Sequence, residues 1–146
     1  FIGPAKYNAL YAKIGNLNRL MAWAHAKVIG QLVEGSKDEP IQWFLIDQFA
    51  KGNTMARALG GLADTVRVDQ WPKAESDPAV AAASILARAA FLRGVDALSK
   101  RYGVRLRLGA GSPTLGSARE FVSLHGRQAL GGVAKLHFAT TQQVTG

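Results

Sequence analysis

Asp47 closes the apolar run Ile41-Gln42-Trp43-Phe44-Leu45-Ile46, and Glu75 follows 28 positions later, just ahead of a stretch of small residues, Ala81-Ala82-Ala83-Ser84-Ile85. The run is bounded upstream by Gly35-Ser36-Lys37-Asp38-Glu39-Pro40, a pattern that predicts a strand buried on both faces. In open α/β sheets ligands gather where such strands end. An ionised carboxylate at that junction is costly unless a cation sits beside it, and a divalent metal is the usual solution. The two acids are therefore candidate halves of a carboxylate metal site. The plain alternative is a strand-end Asp that caps a turn. Asp69 and Asp77 share the segment with Glu75, and the residue pattern does not choose among the three.

The elements that must position these acids are legible from caps and periodicity. Asn16 or Asn18 can open a helix whose Leu17, Leu20, Met21, Ala24, Val28, Ile29 and Leu32 fall at helical spacing, with Gly35 as its stop. His25 and Trp23 lie in it, and a lone histidine there reads as a packed or exposed side chain rather than a ligand. Asn53 can cap a short helix through Leu59. Gly60-Gly61 then precedes a β-branched run, Thr65-Val66-Arg67-Val68, expected to be the second strand. Asp69 to Ser76 reads as a linker because Trp71-Pro72 interrupts regular structure. Asp77-Pro78 is a strong helix opening, since Asp accepts from orphan amides and Pro suits the first turn; that helix is expected to reach Tyr102 and Gly103. Ser112-Pro113 repeats the pattern for a helix ending at His125-Gly126, and Gly109-Ala110-Gly111 before it is expected to be a structural loop, with phosphate cradling the weaker reading.

A chain of 146 residues that is 48% hydrophobic suits one domain. No uninterrupted run approaches the roughly 18 to 20 apolar residues of a membrane span, so no membrane contact is expected. Cysteine is absent, which excludes disulfides, thiolate nucleophiles and cysteine-ligated metals; a cytoplasmic setting is permitted. The net charge of +8 is uneven. From Ala97 onward seven basic residues face a single acid, Glu120, whereas the first 96 positions hold eleven basic and nine acidic residues. A basic final third is a footprint for a polyanion, because each Lys or Arg meeting a phosphate releases a counterion. Solvated surface charge is the competing account.

Seven segments, in order, resemble the ribonuclease HIII branch of the type 2 ribonucleases H: Lys6-Tyr7-Asn8, Asn16-Leu17-Asn18, Leu45-Ile46-Asp47-Gln48-Phe49-Ala50, Lys73-Ala74-Glu75, Ala81 to Arg88, Gly109-Ala110-Gly111, and Ala134-Lys135-Leu136-His137-Phe138-Ala139. The resemblance spans nearly the whole chain. It implies an α/β, ribonuclease H-like fold, a mixed sheet flanked by helices, and an endonuclease that cuts the RNA strand of an RNA/DNA hybrid with Mg²⁺ or Mn²⁺ held by four carboxylates. Asp47 and Glu75 are two of the four on this reading, and the match at Lys73-Ala74-Glu75 is what selects Glu75. The hard-cation chemistry agrees, since such ions take anionic oxygen ligands.

The family opens its catalytic domain with a strand ending in Asp-Glu before a glycine turn, and this chain shows no counterpart. Asp38-Glu39 is followed by Pro40 and reads as solvated loop. Residues 1–146 are accordingly expected to be the C-terminal part of a ribonuclease HII/HIII-type catalytic domain, lacking its N-terminal strands, with the missing N-terminal part of the same enzyme as a partner and weak activity alone. Ser84 and Arg88, one turn apart and able to face the scissile phosphate together, and Lys135 and His137, expected to point outward between inward Leu136 and Phe138, are nucleic-acid-contact candidates. Ser84 is read as a positioning residue. Competing readings are a ribonuclease HII acting at embedded ribonucleotides, a non-catalytic nucleic-acid-binding module, and an unrelated α/β domain whose two acids lie far apart.

Overall fold

The computed structural model describes residues 1–145. The elements run α1 (Pro4–Ile14), α2 (Leu17–Gly35), β1 (Trp43–Asp47), α3 (Thr54–Leu59), β2 (Arg67–Trp71), α4 (Pro78–Tyr102), α5 (Ser112–His125) and α6 (Ala139–Thr145), with 3-10 turns at Gly60–Asp64, Ala74–Ser76 and Arg127–Gly132. They group into two compact units divided within α4: Ile14–Ile85, and Phe1–Lys13 with Leu86–Gly146.

The first unit holds the sheet. Among the described residues it has two strands, β1 and β2, paired in parallel from Trp43↔Arg67 to Asp47↔Trp71, so the mixed sheet expected from the resemblance is represented here by a parallel pair. Parallel neighbours need a crossover, and α3 with the Gly60–Asp64 turn supplies it. Phe44, Ile46 and Val68 face a core built with Ala22 and Ile29 of α2, Met55 of α3, and Val66. The other face is open, with Trp43 and Trp71 each 48% exposed. The expected double burial of β1 is therefore corrected: α2 and α3 cover one face only. The second strand also starts later and runs further than its β-branched residues suggested. Asp69 and Trp71 belong to the ladder, which Pro72 ends because it has no N–H to donate.

Helix starts follow the local chemistry closely. Asn16, not Asn18, caps α2, its side chain accepting from the Arg19 N–H at 3.0 Å. Asn53 stands at the α3 N-cap without a side-chain bond. Asp77 opens α4, its Oδ1 accepting from Ala79 and Val80 at 2.9 and 3.3 Å. Gly111 rather than Ser112 is the α5 cap, and Thr114 closes the preceding loop by donating to the Leu108 carbonyl. α4 has no buried residue, and Ile85 and Leu86 are 69% and 71% exposed. By length and composition it is long and apolar enough to cross a membrane, although no uninterrupted apolar run marks it in the sequence; Arg88, Arg93, Asp96, Lys100 and Arg101 punctuate it.

The second unit packs around Val104, Phe121 and Leu130. Asn8 of α1 ties it together: its Nδ2 donates to the Gly131 and Ala134 carbonyls, and its Oδ1 accepts from the Leu136 N–H at 3.0 Å. Residues 135–138 form a turn whose burial reverses the expected alternation. His137 is half-buried, while Leu136 and Phe138 are exposed. The reason is aromatic: the imidazole stacks on Tyr11 with centroids 4.0 Å apart and on Tyr7, and meets Phe138 at a tilt.

Burial holds two imidazoles below their ordinary pKa of 6.5, His25 stacked on Phe49 and His137, where the Lys135 charge adds to burial. The unfolded chain takes up these protons more readily, so their contribution is intact above 6.5 and is lost as pH falls below that value. Thermal unfolding should therefore show Tm falling on acidification through this window, and His25→Phe should flatten that slope. An unchanged slope in the variant would rule out the assignment.

Candidate metal and nucleic-acid site

Asp47 is the last residue of β1 and, by register, lies beside Trp71, the last of β2. Its neighbour Gln48 donates to the Trp71 carbonyl at 3.0 Å, keeping the strand ends together. Beyond Pro72 the chain turns through Lys73, and the Ala74 N–H donates to Asp47 Oδ1 at 3.0 Å. Glu75 is the next residue, in the turn Ala74–Ser76. The structure thus brings the two predicted acids together within one unit, both exposed at the C-terminal end of the parallel pair. The turn-capping alternative for Asp47 is realised as well, because the same carboxylate that flanks Glu75 accepts the Ala74 amide. That bond uses Oδ1 and leaves Oδ2 without a protein partner among the described residues.

The three acids that sequence reasoning could not separate have different tasks. Asp69 sits in β2, ion-paired to Arg67 at 2.6 Å and accepting from the Trp43 indole N–H at 3.0 Å. The Arg67 hydrogen bond, with help from Trp43, holds its carboxyl below the usual range. Asp77 is committed to the α4 cap. Glu75 makes no hydrogen bond or ion pair among the described residues, and so is the acid with free oxygens beside Asp47. Exposed, paired carboxylate oxygens suit Mg²⁺ or Mn²⁺. Two are too few for a closed site, and no group of three or more metal-ligating side chains occurs among the described residues.

Ser84 lies in the same unit, exposed on the first half of α4. Arg88, Lys135 and His137 belong to the other unit. Arg88 is exposed with its guanidinium over the Phe91 ring at 5.4 Å, and the Lys135 ammonium lies over Tyr7 at 4.6 Å, both cation–π contacts that leave the charge available to a phosphate. His137 is a neutral stacked ring at physiological pH, which weakens it as a phosphate contact. In the Gly109–Gly111 loop the Gly111 carbonyl accepts from the Thr114 and Leu115 N–H groups. Sequence reasoning missed Lys73 and the Ala74 amide. Pro72 marks a turn there, but nothing in a lysine marks the left-handed conformation that Lys73 takes.

A family profile described as Ribonuclease HII matches residues 5–141. Ribonuclease HIII of Chlamydia pneumoniae is 41% identical over 142 residues, which is 97% of this chain and 47% of that protein. Ribonuclease HIII of Protochlamydia amoebophila is 40% identical over 145 residues, 99% of this chain and 47% of that protein. A crystal structure of Bst-RNase HIII in complex with Mn²⁺ aligns at a TM-score of 0.87 and 32% identity, covering 99% of this chain and 48% of that one. RNase H3 of Aquifex aeolicus aligns at a TM-score of 0.62 and 27% identity, covering 92% and 46%. The chain spans about half the length of the curated relatives it matches. The matched residues include all of α4, so this exposed apolar helix is part of the shared fold.

In ¹³C-detected spectra, Mn²⁺ should broaden the side-chain carboxyl signals of Asp47 and Glu75 before those of Asp69 and Asp77. Asp69→Asn should leave the broadening intact. Asp77→Ala should cost about 1 kcal/mol of stability through the lost cap without altering it. Equal broadening at Asp69 would show that Glu75 is not the preferred acid.

Proposed function

Because the chain belongs to the ribonuclease HII family, we propose that it forms part of a divalent-metal-dependent endonuclease that hydrolyses the RNA strand of RNA/DNA hybrids, with Asp47 and Glu75 as two of its metal-holding carboxylates. The observation that supports this reading is the Ala74 N–H bond to Asp47 Oδ1, which ties the residue just before Glu75 to the end of β1. When bound, Mg²⁺ or Mn²⁺ would activate the attacking water and stabilise the leaving 3′ oxygen. The residues of this chain hold and orient: Asp47 is fixed by a backbone amide, and Glu75 keeps its oxygens uncommitted.

The metal set is incomplete on two acids. We infer that the remaining carboxylates come from the portion of the protein outside these 146 residues, in line with relatives about twice as long, and that this chain is the C-terminal part of the catalytic domain. Arg88 and Lys135 are exposed cations suited to the phosphate backbone, where Lys and Arg contacts supply affinity without reading sequence. The relatives named Ribonuclease HIII support the HIII branch over a ribonuclease HII acting at embedded ribonucleotides, and comparing a long hybrid with a single embedded ribonucleotide as substrate separates those readings.

With labelled hybrid and Mn²⁺, the 146-residue chain alone should cleave little. Adding the remaining part of the protein in trans should restore cleavage, and Asp47→Ala should then lower it by at least about a hundredfold, a barrier change of about 2.7 kcal/mol. Brisk metal-dependent cleavage by the chain alone would refute the incomplete site. Salt-sensitive hybrid binding that is never followed by metal-dependent cleavage would favour a binding module instead.

A further inference from the structure

Lys73 has φ 57° and ψ 39°, and it is the sole non-glycine with positive φ among the described residues. At six other places where the backbone takes positive φ the chain uses glycine, from Gly15 to Gly126, as expected where a Cβ would crowd the following carbonyl. An L-residue held in this region persists when its surroundings over-determine it, and such outliers cluster at functional sites. The surroundings here do so. The Lys73 carbonyl accepts from both the Ser76 hydroxyl at 3.0 Å and the Ser76 N–H at 3.2 Å. The Asp77 N–H donates to the Ala74 carbonyl at 2.9 Å. Ala74 is 2% exposed, and its own N–H is spent on Asp47.

We propose that Lys73 is a positioning residue for the acid pair: its left-handed backbone reverses the chain after Trp71-Pro72, so that the Ala74 N–H reaches Asp47 and Glu75 follows beside it. The backbone carries this role, not the ammonium. An extended or right-handed residue 73 would send the Ala74 N–H away from the end of β1, and Glu75 would leave with it. The consequence for metal binding rests on Asp47 and Glu75 being ligands; the positioning itself does not.

Two readouts on the full chain keep these apart. Without metal, amide exchange at Ala74 reports the bond to Asp47 directly. Lys73→Val, whose β-branched side chain resists positive φ, should exchange about tenfold faster at Ala74, whereas Lys73→Gly and Lys73→Asn should match the parent. Mn²⁺ affinity should follow the same order, weakened in Lys73→Val and kept in Lys73→Gly. Should Lys73→Val fail to fold by circular dichroism, Lys73→Ala against Lys73→Asn makes the same contrast, with Ala the faster exchanger. Unchanged exchange in the Val or Ala variant overturns the proposal. So does faster exchange in Lys73→Gly, which would assign the effect to the lysine side chain. If exchange follows the expected order and no variant or parent binds Mn²⁺ at Asp47, the turn positions the acids as proposed and the metal reading fails by itself.

Discussion

One hydrogen bond, 3.0 Å from the Ala74 N–H to Asp47 Oδ1, ties the turn after β2 to the end of β1 and brings the segment with Glu75 to the candidate site. Parallel pairing sets both strand ends on one edge, and the register Asp47↔Trp71 fixes how far β2 runs before it must turn. Shifted by one residue, Asp47 would point into the core beside Phe44 and Ile46, where an unpaired carboxylate is prohibitively placed. The crossover through α3 makes the parallel arrangement possible, and the covered face of the sheet, Ile46 against Ala22, Ile29 and Met55, holds the register. The exposed acids depend on apolar packing on the other side of the same strand.

That dependence explains why the site was half legible in the sequence. Asp47 could be placed at a strand end because a mostly apolar run closes on it, although that pattern alone fits a turn cap as well as a ligand, and α4 because Asp77-Pro78 combines a cap with a first-turn proline. The extent of β2 was not legible. Asp69, Gln70 and Trp71 have no β-branched side chains, and their place in the ladder comes from pairing with Leu45, Ile46 and Asp47, a non-local effect that outweighs propensity. The conformation of Lys73 was hidden for a related reason: a lysine carries no preference for positive φ, and bonds from Ser76 impose it. The turn at 135–138 inverted because alternation presumes a pleated strand, whereas here His137 is drawn inward by Tyr7 and Tyr11 across a long sequence gap.

The surface of the chain is unusually apolar in two places. The open face of the β1–β2 pair presents Trp43 and Trp71, and α4 presents Ile85 and Leu86. A sheet with one bare face and a 25-residue helix with nothing buried bury less than their composition allows. Extended apolar exposure usually marks a surface that meets something else. The chain spans about half of its relatives' length, and the elements that carry the resemblance are the same ones that carry the exposure.

The choice of Glu75 among three neighbouring acids is finally an argument about competition for charge. Asp69 is neutralised by Arg67 and bonded by Trp43, so a cation approaching it must displace partners already in place. Asp77 spends its Oδ1 on two amides at the start of α4, a position that also favours negative charge through the helix dipole. Moving either acid to a metal would cost the fold an interaction. Glu75 costs it nothing, because no described group depends on it for a hydrogen bond or an ion pair. An exposed acid that contributes no such contact, one residue after the amide that bonds Asp47, keeps its oxygens uncommitted, and this separates Glu75 from Asp69 and Asp77, the neighbours that spacing alone could not set apart from it.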